Sequence, residues 1–366
     1  MECENILWFK WVWDESYVLD QYNENCPFLD PGFRCRKNGR RDLDYRKWRW
    51  QPQGCDLPRF NAKEFLERSR NGRIVFAGDS IGRNQWESMI CMLAQGVTNV
   101  STINEEFGNP ITKHRGFLSM KFHESNLTVE YYRVPFLVKV DRPPANASKE
   151  VRGVIRLDKL HWYFTKWVDA DILIFNDGHW WNEDKTVKMY DLQNIPNALA
   201  ISFLSFKVYH PPSGVWTREL FTSNLKTPVG RKRNMITSGV KKVLQANGNL
   251  VKLIRRDGAW NEGGHCHTST APETDYTKLE KEPVNNIFIS EAVEQMQNTR
   301  RNMTFLNITY LSEFRKDGHP SEHREPGTPV GAPQDCSHWC LPGVPDTWNE
   351  LLYAHLLLNG FRTKLK

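Results

Sequence analysis

From residue 60 onward, short apolar runs alternate with segments whose apolar residues repeat at helical spacing. Residues 61–71 predict a helix with Asn61 at its N-cap, and residues 72–80 predict a buried strand that ends in a glycine turn. The other predicted elements are an amphipathic helix over 81–95, strands over 127–138, 171–175 and 303–311, and a last helix over 347–360. Buried strands that alternate with helices favour a parallel sheet in an α/β domain.

Residues 1–60 lack this alternation. They are rich in tryptophan and hold four of the eight cysteines of the chain. An even number of cysteines, half of them in an irregular stretch, predicts disulfides that staple this region. Zinc is the alternative, because residues 265–267 (HCH) and 336–340 (CSHWC) mix both ligand types, but their spacings match no common zinc module. We therefore expect disulfides and no metal.

Composition limits the class of protein. The 366 residues are 39% hydrophobic and 25% charged, as in an ordinary soluble globular protein. The sequence contains no apolar run long enough to predict a membrane-spanning helix, and its start does not have the pattern of a signal peptide. Asn-x-Ser/Thr sequons, together with the cysteines, favour a lumenal glycoprotein; they stand at Asn99, Asn126, Asn146, Asn302 and Asn307.

Residues 190–256 depart from this pattern. Strand and helix patterns stop alternating there, and residues 191–257 carry eleven Lys and Arg against three Asp and Glu, a net charge of +8. A basic segment suggests nucleic acid, but no known nucleic-acid module accompanies it, so we expect no nucleic-acid partner. The composition predicts an atypical, poorly ordered segment, with least order over 222–240, although residues 198–208 are apolar enough to occupy a strand position.

The strand predicted over 72–80 ends in Gly78-Asp79-Ser80. A polar residue beside a helix start is most often a cap. A strand–turn–helix corner can also carry a nucleophilic serine, because it lifts the side chain above the sheet edge and directs helical N–H groups at developing negative charge. Ser80 is therefore a candidate nucleophile, which needs a base from elsewhere in the chain.

A candidate base lies near the C-terminus, in residues 335–343 (DCSHWCLPG). Asp335 precedes His338 by three positions, so its carboxylate can reach the imidazole, fix the tautomer and stabilise the imidazolium. Cys336 and Cys340 flank the pair and could clamp the loop. A surface loop with a chance contact would explain this pair alone, but Gly-Asp-Ser and Asp-x-x-His together form a more specific pattern.

This combined pattern resembles that of GDSL/SGNH hydrolases, and more closely that of the plant trichome birefringence-like family of polysaccharide O-acetyltransferases. The motifs that carry the resemblance are residues 26–30 (CPFLD), 47–52 (KWRWQP), 78–86 (GDSIGRNQW), 171–176 (DILIFN) and 335–343. It implies an α/β fold, an SGNH-hydrolase-like three-layer sandwich with a central, mostly parallel sheet. Residues 1–60 would form the disulfide-stapled N-terminal region, and residues 61–366 the catalytic domain.

The resemblance also implies a chemistry and a location. Ser80 would take an acetyl group as an ester and pass it to a hydroxyl of a cell-wall polysaccharide such as xylan, mannan or pectin. His338 would be the general base and Asp335 its orienting partner. No cofactor is implied beyond an acetyl donor, for which acetyl-CoA is a candidate. The family's members are type II membrane proteins of the Golgi lumen, and we expect membrane attachment only through an N-terminal anchor that this sequence lacks.

Further residues are candidates for the oxyanion and substrate site. Asn176 ends a predicted strand where SGNH enzymes place an oxyanion donor, and Gly78 and Arg83 lie beside Ser80 in the sequence. Trp180 and Trp181 follow Asn176 closely and are the tryptophans best placed to stack on a sugar ring.

Residues 190–256 do not resemble the family pattern, and two explanations stay open. Either the segment comes from an alternative exon or gene model, in which case the sheet would lose a strand, or it has diverged into a basic loop that meets acidic pectin. Three activities are therefore open: acetyl transfer, deacetylation with water as the acceptor, and polysaccharide binding or wall bridging with a non-functional triad.

Overall fold

The strands of the computed structural model divide into three sheets. The described residues are 9–52, 56–143, 145–147, 149, 151–167, 169–176, 178, 180–181, 189–190, 241–246, 265–297 and 303–363. Their strands are β1 (Phe9–Trp13), β2 (Trp48–Pro52), β3 (Arg73–Gly78), β4 (Ile103–Glu105), β5 (Phe117–Phe122), β6 (Leu127–Arg133), β7 (Val138–Asp141), β8 (Gly153–Leu160), β9 (Ile172–Asn176), β10 (Met189–Tyr190), β11 (Lys241–Ala246) and β12 (Met303–Asn307). β1 pairs with β2, and β7, β8 and β10 form a small sheet.

The other seven strands form the central sheet, in the order β12-β11-β9-β3-β6-β5-β4. The strands from β12 to β6 are parallel, and β5 and β4 continue the sheet with antiparallel pairings. The prediction of a mostly parallel sheet is confirmed. Since parallel strands end at the same edge, Gly78, Arg133, Asn176 and Asn307 lie along one carboxyl edge, which is where open α/β sheets bind ligands.

Helices lie on both faces of this sheet. The α-helices are α1 (Ala62–Arg68), α2 (Ser80–Ala94), α3 (Phe164–Trp167), α4 (Val284–Gln297), α5 (Thr309–Glu313) and α6 (Val344–Leu358). Short 3₁₀ helices span Glu15–Asp20, Pro31–Phe33, Asp44–Arg46, Val100–Thr102, Tyr276–Lys278 and Lys316–Gly318. Within the described ranges, none of the helices combines the length and the apolar character needed to cross a membrane.

The alternating side chains of β3 separate two hydrophobic cores. Ile74 and Phe76 belong to the core that α1, α2 and α6 cover, and Val75 and Ala77 belong to the core on the other face, with α3 and α4. All four side chains are at most 1% exposed. A continuous apolar run is typical of a strand buried on both faces. The three-layer α/β sandwich expected from the sequence is therefore confirmed.

Helix α1 agrees with its prediction, whereas α2 differs. The side chain of Asn61 caps α1 by accepting a hydrogen bond from the Glu64 N–H at 3.0 Å. The helix predicted as amphipathic is instead buried all round, from Ile81 to Ala94. The sheet covers one side of α2, and α6, α1 and the N-terminal region cover the others. Polar side chains within α2 therefore make internal contacts rather than facing water.

Strand β11 lies inside the segment 190–256. It pairs in parallel with β9 on one side and with β12 on the other, so a strand from this segment occupies the central sheet. The sequence pattern missed this strand, because KKVLQA is short and stands in a basic stretch without alternation. Apart from Tyr190 and β11, the segment lies outside the described residues, including the ranges 198–208 and 222–240.

The N-terminal region is stapled by disulfides, as predicted, and it also contains the β1–β2 pair. Trp11 and Trp50 pack edge to face across this pair with ring centroids 5.3 Å apart, in a cluster that includes Ile81 of α2. The described cysteines form three disulfides: Cys26–Cys91, Cys35–Cys340 and Cys266–Cys336. The first two tie the N-terminal region to α2 and to the chain before α6. Cys3 and Cys55 lie outside the described residues.

Candidate active site

Helix α2 begins directly where β3 ends, at the carboxyl edge of the central sheet. Asp79 occupies the N-cap position, and its Oδ1 accepts a hydrogen bond from the Ile81 N–H at 2.8 Å. The cap is therefore the aspartate. Ser80, the first helical residue, is partly exposed, and its hydroxyl has no hydrogen-bond partner among the described residues. A serine in this position is free to react beside the positive end of the helix dipole.

Asn176, at the end of β9, lies directly against this corner. It pairs with Gly78 in the sheet register, and its Oδ1 accepts a hydrogen bond from the Gly82 N–H at 2.5 Å. A Cβ atom at Gly78 would lie 2.1 Å from the Asn176 carbonyl oxygen, and one at Gly82 would lie 2.7 Å from Oδ1. Only glycine permits this approach. Gly78 thus has a packing role, which the sequence did not indicate.

The side-chain amide nitrogen of Asn176, Nδ2, does not take part in these contacts. Asn176 is 1% exposed, and Nδ2 is buried without a hydrogen-bond partner among the described residues. A buried N–H donor without an acceptor costs free energy, which is most simply recovered when a ligand supplies the acceptor. The same side chain is held against the first turn of α2, because its Oδ1 accepts the N–H of Gly82. The unpaired Nδ2 therefore lies close to the start of the helix.

His338 and Asp335 form the ion pair that their spacing predicted. The Nδ1 atom of His338 lies 3.0 Å from Oδ1 and 2.9 Å from Oδ2 of Asp335. Oδ1 also accepts the backbone N–H groups of Ser337 at 3.1 Å and His338 at 3.2 Å. Because a carboxylate can only accept, Nδ1 carries the hydrogen and the neutral imidazole presents Nε2 as its basic nitrogen.

The two members of this pair shift each other's pKa in opposite directions. Burial lowers the pKa of His338, but the charge of Asp335 and its hydrogen bond outweigh burial and raise the pKa above the ordinary value. Burial also opposes the ionised form of Asp335, yet the charge of His338 and three hydrogen bonds bring the pKa of this carboxyl below its usual range. Asp335 is therefore a fixed negative charge beside a histidine with increased basicity.

Helix α2 is hydrogen-bonded directly to residues 335–343, which we call the histidine loop. The side chain of Asn84 donates to the Trp339 carbonyl at 3.2 Å and accepts the Trp339 N–H at 2.8 Å. Asn84 lies one turn after Ser80, and Trp339 follows His338. These two bonds therefore join the helix that begins at Ser80 to the loop that carries His338. The pKa of Asp79, the residue before Ser80, also responds to His338. Burial raises this pKa to about 7, and the nearby charge of His338 opposes that rise. Nothing in the spacing of Asn84 identified this role.

The N-terminal region supports the same loop from the other side. The ring of Phe33 lies 5.6 Å from the His338 ring between centroids, and its carbonyl accepts the Leu341 N–H at 2.9 Å. The disulfide Cys35–Cys340 adds a covalent connection, and Cys266–Cys336 fixes the residue after Asp335. Cys336 and Cys340 therefore clamp the loop, but each to a distant partner and not to each other.

His319 supports the loop beneath His338. Its Nδ1 lies 2.6 Å from the His338 carbonyl, which can only accept, so Nδ1 donates. Burial lowers the pKa of His319 to about 4, which keeps this imidazole neutral near pH 7. Arg40 of the N-terminal region donates in turn to the His319 carbonyl at 3.2 Å. The sequence offered no signal for His319, because it lies nineteen positions before His338 without a motif.

Arg83 is 3% exposed and is occupied mainly by carboxylates. Its Nε and Nη2 donate to Glu87 at 2.7 and 2.6 Å, and Nη2 also lies 3.3 Å from Asp30. Burial raises the pKa of Glu87 to about 7 against the attraction of Arg83. These contacts favour a structural role for Arg83, with only the buried Nη1 lacking a partner among the described residues.

The tryptophans after Asn176 are in an aromatic cluster. Trp180 and Trp181 both pack edge to face on Phe136, at 5.7 and 5.2 Å between centroids, and Trp181 is 6% exposed. Packing is therefore the main role of Trp181.

The residues that suggested zinc do not form a metal site within the described ranges. The sulfur atoms of Cys266 and Cys336 are bonded to each other, and that of Cys340 is bonded to Cys35. A disulfide sulfur is not a thiolate and cannot act as a zinc ligand while the bond is intact. The ring of His338 is engaged by Asp335.

Family models match nearly the whole chain. Residues 57–355 match the PC-Esterase model, described as a GDSL/SGNH-like acyl-esterase family found in Pmr5 and Cas1p. Residues 2–56 match the PMR5 N-terminal domain. The first match covers the β3–α2 corner, Asn176 and the histidine loop, and the second covers the region that supports the loop through Phe33 and Cys35.

Individual relatives agree with these models. The chain is 53% identical to Protein trichome birefringence-like 9 of Arabidopsis thaliana over 343 residues, which is 94% of this chain and 80% of the relative. It is 38% identical to Protein trichome birefringence-like 6 of the same plant, over 97% of this chain and 71% of the relative. It is also 36% identical to Protein trichome birefringence, over 95% of this chain and 55% of the relative.

Proposed function

The chain belongs to the trichome birefringence-like family and carries a GDSL/SGNH-like acyl-esterase domain, and from this premise we propose that it is an O-acetyltransferase of plant cell-wall polysaccharides. Ser80 is the proposed nucleophile, His338 the general base and Asp335 its orienting partner. One observation supports the proposal most: Asn84, one turn after Ser80 in α2, binds both backbone groups of Trp339, the residue after His338, and so joins the loop of the Asp335-paired histidine to the helix that begins at Ser80.

The proposed reaction is a double displacement. Ser80 Oγ attacks the acetyl carbonyl of the donor while His338 Nε2 accepts the serine proton; the leaving group then departs with that proton. With acetyl-CoA as the proposed donor, the leaving group is a thiol. A sugar hydroxyl next attacks the acetyl-Ser80 ester and gives its proton to Nε2, which returns it to Ser80. Asp335 stabilises the imidazolium in both halves of the reaction.

Asn176 is the proposed oxyanion donor. Its buried, unpaired Nδ2 supports this role, because a preorganised donor without a partner in the free protein can bind the charge that develops on the carbonyl oxygen. The backbone N–H of Ser80, at the start of α2, is the second proposed donor. The engagement of Arg83 with Glu87 favours positioning of the helix over direct contact with the acetyl group.

Activity should fall as pH decreases through the raised pKa of His338. A general base must be unprotonated, and Asp335 raises the pKa of His338 against burial, so the acid limb of kcat/KM should have its midpoint above the ordinary imidazole value of about 6.5. His319 does not titrate in this window, because its pKa is lowered to about 4 by burial. The measurement is kcat/KM for acetyl transfer between pH 5 and 9.

Asp79 is the control for this pH profile, since burial raises its pKa to about 7. Asp79→Asn removes the titrating carboxyl and keeps a side-chain oxygen that can cap α2. The acid limb should persist in this variant, with its midpoint moved slightly lower, because the charge of Asp79 contributes to the raised pKa of His338. An activity that no longer depends on pH in Asp79→Asn would assign the limb to Asp79 instead.

Asn84→Ala should lower both stability and kcat. The change leaves the buried N–H and C=O of Trp339 unpaired, which should cost about 2–4 kcal/mol of unfolding free energy, and it releases the residue next to His338. Asn349→Ala is the matched control, because Asn349 donates to Gln85 and Ser88 on the same helix, away from the histidine loop. Urea unfolding and kcat of the folded protein should separate the two variants; equal kcat values would contradict the role of Asn84.

The direct test of the proposed function is an acyl-enzyme experiment. The purified protein is incubated with acetyl-CoA and analysed by intact mass and peptide mapping, and an acetylated polysaccharide is then sought after addition of xylan, mannan or pectin. We expect one acetyl group on Ser80, which disappears when the acceptor is added, and no such group in Ser80→Ala. Acetylation at another residue would reject the proposed nucleophile, and release of free acetate with every acceptor would identify an esterase.

We also propose that the protein acts in the Golgi lumen. The three disulfides among the described cysteines fit an oxidising compartment. A fluorescent fusion of the full-length protein should co-localise with a Golgi marker, and a cytosolic distribution would reject this proposal.

A further inference from the structure

Asp30 is a buried carboxylate of the N-terminal region that has no part in the proposed reaction. It ends the segment 26–30 (CPFLD), one of the motifs that resemble the family pattern, and it is 4% exposed. Removal of a carboxylate from water is costly, so a group that is buried to this extent needs hydrogen-bond donors or a charged partner. The partners of Asp30 therefore indicate its role in the fold.

One oxygen of Asp30 fixes the short 3₁₀ helix Pro31–Phe33, which we call the Phe33 helix. Oδ1 accepts the N–H of Gly32 at 2.8 Å, and the Asp30 carbonyl accepts the N–H of Phe33 at 3.1 Å. Asp30 is thus the N-cap of this helix. The cap determines the direction in which the chain continues to Phe33.

Asp30 is also bound to helix α2. Its backbone N–H donates to Glu87 Oε2 at 2.6 Å, and its Oδ2 lies 3.3 Å from Arg83 Nη2. Arg83 and Glu87 are hydrogen-bonded to each other at 2.6 and 2.7 Å, and both are buried. They lie one and two turns after Ser80 in α2. Asp30 therefore holds the Phe33 helix against the helix that begins at Ser80.

These contacts complete a closed path around the candidate base. From α2 the path passes through Asp30 to Phe33, whose ring lies 5.6 Å from the ring of His338 between centroids. From the residue after His338 it returns to α2 through Asn84. Asn84 binds the backbone of the histidine loop, whereas Phe33 contacts the imidazole itself. The hydrogen bond to Asp335 fixes one nitrogen of the imidazole, and the Phe33 ring limits the tilt that this bond leaves open.

The second oxygen of Asp30 has two donors. Oδ2 accepts the backbone N–H of Lys113 at 2.8 Å, in addition to its contact with Arg83. Asparagine at position 30 can keep the cap of the Phe33 helix through Oδ1. Its NH₂ group would then face two donors, because an amide nitrogen cannot accept a hydrogen bond. The carboxylate is therefore required for the contact with α2 and not for the cap alone.

The charge of Asp30 balances that of Arg83. Burial and the charge of Arg83 both lower the pKa of His338, although the ion pair with Asp335 outweighs them. Burial raises the pKa of Glu87 to about 7, and the negative charge of Asp30 adds to this rise. Glu87 is thus only partly ionised near pH 7, and Asp30 supplies the other negative charge beside Arg83. Without Asp30, more of the Arg83 charge would act on His338.

We propose that Asp30 is a positioning residue for acetyl transfer, which fixes Phe33 against the imidazole of His338 from the helix that carries Ser80. This inference rests on the proposed function and adds a residue that touches neither the substrates nor the reacting atoms. Because Asp30 acts through Phe33, its loss slows the proton transfers of His338 and leaves the binding of donor and acceptor intact.

The first test is kinetic and uses Asp30→Asn. We expect kcat for acetyl transfer to fall roughly tenfold, with KM for donor and acceptor unchanged. The acid limb of the pH profile should move to lower pH, because the Arg83 charge that lowers the pKa of His338 is less balanced. A raised KM with unchanged kcat would overturn the inference, since Asp30 would then affect binding and not the base.

Glu24→Gln is the matched control. Glu24 is a carboxylate of the same region, 6% exposed, and it accepts the backbone N–H groups of Arg36 at 2.7 Å and Lys37 at 2.8 Å. Among the described residues it has no hydrogen bond or ion pair with α2. The substitution removes one charge and one acceptor, as Asp30→Asn does, and should leave kcat and the acid limb unchanged. An equal loss of kcat in Glu24→Gln would assign the effect to general damage of the N-terminal region.

A double-mutant cycle tests whether Asp30 acts through Phe33. Phe33→Leu removes the ring that faces His338 and keeps the backbone bond to Leu341. It should lower kcat about as much as Asp30→Asn does. The double variant Asp30→Asn/Phe33→Leu should be no slower than the slower single variant, because both changes interrupt the same path. Losses that multiply in the double variant would overturn the inference.

The position of the imidazole can also be measured without catalysis. In Ser80→Ala protein, the Cε1–H resonance of His338 is followed by NMR during a pH titration and is identified by its absence in Ser80→Ala/His338→Ala. Asp30→Asn should change its chemical shift, through the displaced Phe33 ring, and lower its titration midpoint. Glu24→Gln should change neither. An unchanged resonance in Asp30→Asn would overturn the inference, whereas failure of Ser80 acetylation would reject the proposed function and leave this result in place.

Asp30→Glu keeps the test decisive if Asp30→Asn does not fold. It retains the charge and both oxygens but moves them by one methylene group. We expect a lower kcat and a changed chemical shift of His338, with the titration midpoint close to that of the unaltered protein. Folded Asp30→Glu with normal kcat and an unchanged His338 resonance would overturn the inference.

Discussion

Ser80→Ala and His338→Ala should each abolish acetyl transfer, with a loss of roughly 10⁴-fold or more in kcat. The first variant cannot form the acetyl ester, and the second lacks the base that accepts the protons. Asp335→Asn should leave a small residual activity, about 10³ to 10⁴-fold below the unaltered enzyme, since the imidazole loses the carboxylate that fixes its tautomer. The double variant Ser80→Ala/His338→Ala should be no worse than either single variant, because the residues act as one unit. Acetyl incorporation into polysaccharide is the measurement.

Ser337→Ala is the control for this series. Ser337 lies in the same loop and contributes only its backbone N–H to Asp335, which alanine retains. All variants should give circular-dichroism spectra and unfolding midpoints close to those of the unaltered protein. Undiminished transfer by folded Ser80→Ala would reject the proposed mechanism, and a loss in Ser337→Ala as large as that in His338→Ala would show that loop perturbation alone explains the result.

Removal of the disulfide Cys35–Cys340 should have the second largest effect. The bond joins residues 305 positions apart, so Cys35→Ser/Cys340→Ser should lower the free energy of unfolding by about 3–5 kcal/mol. It should also lower kcat of the folded protein by roughly 10–100-fold, because Cys340 lies two residues after His338 and the loop loses its covalent connection to the N-terminal region. Urea unfolding and transfer assays at a temperature where both proteins are folded are the measurements.

The variant Cys26→Ser/Cys91→Ser separates stability from positioning. This disulfide closes a loop of 65 residues between the N-terminal region and the second half of α2, away from the histidine loop. Its removal should lower stability and leave kcat of the folded protein nearly unchanged. If both cysteine variants lose kcat to the same degree, the Cys35–Cys340 bond has no specific role in positioning His338.

The elements that the sequence predicted well share one property: each is determined by residues that are neighbours in the sequence. The continuous apolar run of β3 between polar ends, and Asn61 before α1, have few alternative explanations. The Asp335–His338 contact also follows from a spacing of three residues. β11 was missed because its apolar residues, Val243, Leu244 and Ala246, follow two lysines and give no periodic signal, and its position depends on β9 and β12. The burial of α2 on all sides was missed because its polar side chains make it look amphipathic.

The support of the candidate site could not be derived from the sequence, because it depends on contacts between distant residues. Asn84 binds Trp339, and Phe33 accepts from Leu341, across most of the chain. Eight cysteines allow 105 pairings, so the link from Cys35 to Cys340 needs the folded chain. The unpaired Nδ2 of Asn176 is recognisable only when its neighbours in the folded structure are known.

The contacts between the histidine loop and the N-terminal region limit how segments can be exchanged between relatives of this protein. The boundary between the two family models falls between residues 56 and 57, yet Phe33, Cys35 and Arg40 lie before it and contact the loop or its support after it. Exchange of residues 2–56 between relatives would therefore change the setting of His338, although no catalytic residue is exchanged. In a series of such chimeras, turnover should follow the fit between the donor segment and the recipient loop, so the N-terminal segment and the loop are expected to evolve as a matched pair.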